Sequence, residues 1–193
     1  MKAIAIILAA GQSTRMGLPK ALLYAGDGLT FLSRLAHVFN EERIAPIVVV
    51  GAHANEILAA HPEVPSVLNP QWRSGQLSSV FVGLRAALAQ GAKRILIQPV
   101  DTPMITGATA AQVRAALNDW PAIIATCDGK PGHPLGLTAQ AAQTLLESKV
   151  TTLEQGAALL HATAAPVADP QILDNLNTPE AYLLRFGCAP RGL

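Results

Sequence analysis

Ala3-Ile4-Ala5-Ile6-Ile7-Leu8-Ala9-Ala10-Gly11-Gln12-Ser13-Thr14-Arg15-Met16-Gly17-Leu18-Pro19-Lys20 is an apolar run that stops in a small-residue turn and then meets two cations. The apolar part, Ala3 to Ala10, is the longest unbroken one in the chain, and a membrane-spanning helix needs roughly 20 such residues. Met1-Lys2 ahead of it gives the outline of a short secretory signal, but Arg15 and Lys20 follow closely and no cleavage-like boundary leads into a polar linker. A buried strand over Ile4–Leu8 explains the run better, and the expected location is cytoplasmic. Similar runs recur at Ile44–Val50, which stops at Gly51, at Arg94–Gln98, which stops at Pro99, and at Ala122–Thr126. Continuous apolar strands without alternation belong to a sheet covered on both faces.

Helical spacing fills the intervals. Thr30 can cap a helix that runs to about Asn40, with Phe31, Leu32, Leu35, Val38 and Phe39 on one face. Ala54–Ala60, Leu77–Gln90, Thr109–Asn118, Ala139–Ser148, Thr152–His161 and Pro179–Phe186 complete the set. Alternating strands and helices predict an α/β fold with a mostly parallel sheet and right-handed crossovers. No repeat, low-complexity tract or long linker interrupts residues 1–193, so a single domain is expected.

Composition narrows the function classes. Lys plus Arg number 14 and Asp plus Glu 13 among 193 residues, a net charge of +1. Binding to a phosphate backbone needs a concentrated basic face, and aromatics, at 4%, are too sparse for base stacking, so nucleic acid is not an expected partner. Charged residues are 14% against roughly 25% in ordinary domains, and hydrophobic residues are 50%. That balance excludes disorder and implies a large core under a lightly charged surface, with no membrane association. Cys127 and Cys188 are far apart and form neither a metal pair nor a disulfide framework.

Ligands of open α/β sheets bind beyond the carboxyl ends of the strands. The loops to inspect follow Leu8, Val50, Gln98 and Thr126. In the first, small side chains let backbone N–H groups approach and cradle phosphate oxygens, Ser13 and Thr14 add hydroxyls, and Arg15 and Lys20 can bind a polyphosphate. A Gly-rich turn with two solvated cations would read the same way. The dinucleotide fingerprint fails because Ser13 stands where a second glycine should, and a Walker loop fails because Gly11 and Gly17 are one residue too far apart.

The pattern L-A-A-G-x-x-x-R-M-G-x-x-K, over Leu8–Lys20, resembles the signature of the molybdenum cofactor nucleotidyltransferases (MobA-like NTP transferases). The resemblance implies a three-layer, Rossmann-like (GT-A-like) α/β fold that moves a nucleoside monophosphate from an NTP to a phosphorylated acceptor and releases pyrophosphate. It assigns nucleotide contacts to Leu8, Ala9, Ala10, Gly11, Arg15 and Lys20, with Arg15 and Lys20 also catalytic. Gln98-Pro99-Val100-Asp101-Thr102-Pro103 follows a buried strand, where Asp101 either caps a turn or holds Mg²⁺. By resemblance Asp101 is the catalytic metal ligand, and Mg²⁺ the cofactor. Gly75-Gln76-Leu77-Ser78-Ser79 opens a helix whose hydroxyls suit a nucleotide's polar edge and also capping, the commoner use of Ser; in such enzymes this segment touches the nucleotide, and Asn69 just before it resembles the strand end near the base pocket. Trp72 is as much a core anchor as a stacking platform.

Gly132-His133-Pro134 resembles the G-H-P loop of the cytidylyltransferase branch, with Lys130 or Pro131 where an arginine commonly sits, and implies that His133 faces the acceptor. It is read as a turn after a strand. Asp174-Asn175-Leu176-Asn177-Thr178-Pro179-Glu180 resembles the closing family segment, in which the oxygen at Asn177, or that of Asp174, completes the metal site. Ala10 in place of glycine, together with the G-H-P element, implies CTP as donor and molybdopterin as acceptor, with a molybdoenzyme or its chaperone as further partner. His37, His53, His61 and His161 have no Cys or carboxylate at ligand spacing and read as structural or surface residues. Two alternatives stay open: a transferase of the same fold using another NTP or acceptor, such as a sugar phosphate, and a non-catalytic carrier of a cofactor intermediate. A carrier has no evident need for Arg15, Lys20 and Asp101 together.

Overall fold

The computed structural model describes all 193 residues. Its strands are β1 (Ala3–Ala9), β2 (Ala45–Val50), β3 (Ser66–Leu68), β4 (Arg94–Pro99), β5 (Ala122–Cys127), β6 (Lys130–Thr138) and β7 (Thr163–Pro166). They form one sheet in the order β3-β2-β1-β4-β6-β5-β7, parallel except for β6, which runs antiparallel to both β4 and β5. The helices are α1 (Phe31–Glu41), α2 (Ala54–Ala60), α3 (Gln76–Ala89), α4 (Gly107–Ala116), α5 (Ala139–Glu147), α6 (Leu153–Leu159) and α7 (Pro179–Phe186). The α/β fold with a mostly parallel sheet, expected from the apolar runs, is the one observed. No helix is long and apolar enough to cross a membrane.

Strand β1 shows how three layers arise from one run of apolar residues. Successive side chains of a strand point to opposite faces. Ala3, Ala5, Ile7 and Ala9 join a core with Phe31 and Leu35 of α1, Val113 of α4 and Tyr182 of α7. Ile4, Ile6, Leu8 and Ala10 join a second core with Val80 and Leu84 of α3 and Leu145 of α5. Both faces are covered, so every residue of β1 is buried. Gly83 lets α3 lie close on this strand, since a Cβ there would stand 2.4 Å from Ile6 Cγ2. Thr30 caps α1, its hydroxyl accepting from the Ser33 N–H while Ser33 Oγ accepts from the Thr30 N–H.

The four expected strands and seven expected helices are present within a few residues. Three further strands lie outside the expectation. β3 and β7 are edge strands of three and four residues, half exposed and without an apolar run. The third corrects the reading of Gly129–Leu135: Gly132-His133-Pro134 lies inside β6, not in a turn after a strand. The turn is Asp128-Gly129, with φ of 50° and 74°, the combination that a two-residue hairpin loop favours. The β5–β6 pairing shifts register between Ile124 and Thr126, and this irregular stretch accommodates the prolines that a regular ladder would reject.

Candidate functional site

The loop after β1 is held by its carbonyls. Ala10 O accepts from the Ala52 N–H at 3.0 Å, Gln12 O faces His53 Nε2 at 3.0 Å, and Ser13 O accepts from the N–H groups of Met16 and Gly17, each at 3.0 Å. Ser13 takes a left-handed conformation with φ of 55°, and its Oγ accepts from the Lys20 N–H at 3.2 Å. Met16 is buried in the core beneath. The N–H groups of Gly11, Gln12 and Ser13 donate to no protein acceptor, which leaves a row of donors at the end of the first strand, the arrangement that suits an anion.

Lys20 leads out of this loop into a short 3₁₀ turn, Lys20–Leu22. Its Nζ donates to Asp101 Oδ2 at 2.8 Å and to Asn177 Oδ1 at 2.6 Å. Asp101 stands just past the end of β4, and its carbonyl accepts from the Leu176 N–H at 2.8 Å, which draws the C-terminal segment over the end of the sheet. Three residues separated by 81 and 157 positions therefore share one point. Lys20 and Asp101 side chains are each 17% exposed, so the pair is partly screened from water while a ligand can still reach it. Asp174 lies apart, 3.9 Å from Arg185 Nε.

A cleft of about 620 Å³ opens over Lys20 and Asp101, within the usual range for small-molecule sites, while Asn177 and His133 stand outside its wall. Its wall includes Leu8, Ala9, Ala10, Gly11, Gln12, Ser13, Lys20 and Asp101, then His53 and Ile57 from the α2 side, then Trp72, Arg73, Gly75, Gln76 and Ser79. Gly75 caps α3 without any side-chain bond, so the start of this helix is open. The Arg73 guanidinium lies 4.3 Å from the Trp72 ring centroid, which gives the rim a cation stacked on an aromatic face. The His133 ring is near enough to Asp101 and Glu154 to feel both charges. Burial nevertheless dominates and pushes the imidazole below its ordinary value, which favours the neutral form. Its Nδ1 is buried with no hydrogen-bond partner.

Not every residue singled out in the sequence lines the cleft. Arg15 is exposed on the loop and forms none of the wall. Asn69 is buried behind it, with Nδ2 donating to Ser78 Oγ and Ser79 Oγ at 2.9 Å each and Oδ1 accepting from the Gln71 N–H at 2.9 Å. Ser78 donates on to Gly75 O at 2.7 Å. These bonds tie the end of β3 to the start of α3 and support the wall from within; only Ser79 of the pair reaches its surface. His53 corrects the reading of the four remaining histidines: it lines the cleft, with Glu56 Oε1 3.3 Å from Nδ1. The signal was its place, three residues past the end of β2, in a loop where ligands are expected. Carboxylates also stand 3.3 Å from His37 and His61, from Glu41 and Glu63. His61 is buried, with Nε2 2.9 Å from Thr30 Oγ1, as suits a structural role.

The donors available to a divalent cation are the Asp101 carboxylate and the Asn177 amide oxygen. Hard oxygen donors in so small a number fit Mg²⁺, which is usually held by one or two carboxylates together with substrate phosphates and water.

Residues 5–167 match the MobA-like NTP transferase domain. A molybdenum cofactor guanylyltransferase of Cereibacter sphaeroides is 32% identical over 188 residues, covering 93% of each chain. Another from Sinorhizobium fredii is 34% identical over 116 residues, 58% of this chain and 52% of that relative. Among solved structures, a nucleotidyl transferase from Methanothermobacter thermautotroptrophicus superposes with a TM-score of 0.79 at 24% identity over 95% of both chains, which shows a shared fold. This chain is a nucleotidyltransferase and belongs to the MobA-like NTP transferase domain family.

Proposed function

We propose that the enzyme transfers CMP from CTP to a phosphate of molybdopterin and releases pyrophosphate. The observation that carries the transferase reading is the meeting of the Lys20 ammonium, the Asp101 carboxylate and the Asn177 amide beside a loop of unpaired N–H groups. Molybdopterin as acceptor is supported by the names of the relatives, and CTP by Ala10 and by His133 beside Asp101. A second reading, transfer of GMP from GTP, is favoured by the same relatives, which are named guanylyltransferases.

In this mechanism an acceptor phosphate oxygen attacks the α-phosphorus in line and pyrophosphate leaves. Chemistry of this kind asks the protein mainly for position and charge. The N–H groups of Gly11 to Ser13 hold phosphate oxygens. Lys20 gives up its two oxygen partners and turns to the triphosphate, where it offsets charge on the α-phosphorus and on the leaving group. Asp101 and Asn177, once released, would hold Mg²⁺, which would supply positive charge to offset that of the phosphates. A phosphate acceptor is already ionised at neutral pH, so no side chain needs to take a proton from it. The acceptor-side role of His133 is supported by its neutral form and by the influence of Asp101 on it.

The test is pyrophosphate release with CTP, GTP, ATP and UTP, with and without molybdopterin, alongside thermal shifts with each nucleotide and Mg²⁺. Release with CTP that requires molybdopterin, and a larger shift with CTP than with GTP, is the expected result. A larger shift and faster release with GTP moves the assignment to guanylyl transfer. Release that requires a sugar phosphate instead removes molybdopterin, and no release with any NTP removes the transferase reading.

A further inference from the structure

The loop that offers its N–H groups to phosphate is fixed at one peptide by a side chain from elsewhere in the chain. Gln12 O lies 3.0 Å from His53 Nε2. A carbonyl can only accept, so that ring nitrogen carries the proton. In a trans peptide the C=O and the following N–H point in opposite directions. With the Gln12 carbonyl taken up by His53, the Ser13 N–H is left free on the opposite edge of the same peptide, in the cleft wall. Were this peptide to rotate, it would present an oxygen to the phosphates instead of a donor. Glu56 Oε1 lies 3.3 Å from Nδ1, and the ring is about one quarter exposed, at 23%. His53 begins α2 without making any side-chain cap bond to it, so the helix start makes no competing demand on the ring.

We infer that His53 is a positioning residue of the nucleotide loop, holding the Gln12 carbonyl away from the phosphates and thereby fixing the Ser13 N–H as a phosphate donor. This rests on the proposed NTP site and adds to it a residue that touches the loop, not the reacting atoms. The Ala10–Gly11 peptide, two before it, is also held through its carbonyl, Ala10 O accepting from the Ala52 N–H at 3.0 Å. That bond is backbone to backbone, so of the two it is the Gln12–Ser13 peptide whose orientation depends on a side chain.

Two polar variants differ only in reach. His53→Gln places an N–H donor near the position of Nε2, whereas His53→Asn ends near the position of Nδ1 and falls short of Gln12. Titration calorimetry with CTP and with GTP, each with Mg²⁺, measures their affinity, and circular dichroism melts verify folding. We expect His53→Asn to weaken nucleotide binding about tenfold, the size of one lost hydrogen bond, and His53→Gln to stay within about threefold of the parent protein. In turnover assays the NTP KM should rise with kcat and the acceptor KM little changed. Equal affinity in His53→Asn and the parent protein would overturn the inference, as would a His53→Gln variant impaired as much as His53→Asn. A parent protein that binds neither nucleotide would instead overturn the NTP site itself, so the two failures are distinguishable.

Discussion

The parallel half of the sheet and its antiparallel hairpin reach the same site by opposite routes. β1, β2 and β4 run in one direction, so the site receives the segment just past the end of each strand: Gly11 to Lys20, His53 and Asp101. β6 runs the other way. Its partner register, Ile97 with Leu135, sets the beginning of the strand at the carboxyl edge of its neighbours, and His133 therefore stands beside Asp101 although it precedes most of its own strand. The rule that ligands bind beyond strand carboxyl ends describes an edge of the sheet, and a reversed strand meets that edge with its first residues.

If the parallel half carries the charge chemistry, the largest effects fall there. Lys20→Ala should lower turnover by about 10²–10³-fold with little change in melting temperature, the scale seen when one group that stabilises transition-state charge is removed. Wild-type turnover in that variant would take Lys20 out of the mechanism. Asp101→Asn should cost a comparable factor that added Mg²⁺ does not restore, and full rescue by millimolar Mg²⁺ would demote Asp101 from ligand to long-range influence. Two glycines then separate packing from positioning. A Cβ at Gly132 would stand 2.6 Å from Ile172 O, and a Cβ at Gly83 stands 2.4 Å from Ile6 Cγ2. Either alanine should destabilise by about 1–3 kcal/mol, read as a melting temperature lower by about 2–4 °C per kcal/mol. Gly132→Ala should also raise the acceptor KM because His133 is its neighbour, whereas Gly83→Ala should leave both KM values alone. Equal kinetic effects would erase the distinction.

The smallest effect concerns acid. Burial lowers the His133 value below 6.5, so the unfolded chain takes up a proton that the folded chain resists. Stability is therefore lost as pH falls below about 6.5. His133→Gln should flatten denaturant midpoints measured between pH 7 and pH 5; an unchanged slope would show that another group governs the acid limb.

The residues that announced themselves in the sequence did so for plain physical reasons. Ile4–Leu8 and Ile47–Val50 are unbroken apolar runs, and only a doubly covered strand needs one. Thr30 sits where a helix cap belongs, and it caps. β3 and β7 escaped because edge strands of three or four residues bury too little to leave a pattern. β6 escaped because two prolines and two glycines within Lys130–Gly136 read as a loop, although Asp128-Gly129 straight after an apolar strand was a hairpin signal in view. Of the site, Lys20 and Asp101 were legible from a motif and a strand end. Their contact was not, since nothing local encodes a meeting 81 residues apart. His53 was passed over because its partner is a backbone carbonyl, which carries no side-chain signature.

The hydrogen bond from the Leu176 N–H to the Asp101 carbonyl bears on how the enzyme is born. During synthesis the strands, the first loop and the acidic turn all emerge from the ribosome well before Asn177 does. A nascent chain can thus bring Lys20 and Asp101 together while the pair still lacks its third member, and the cluster is complete only once Asn177 has followed.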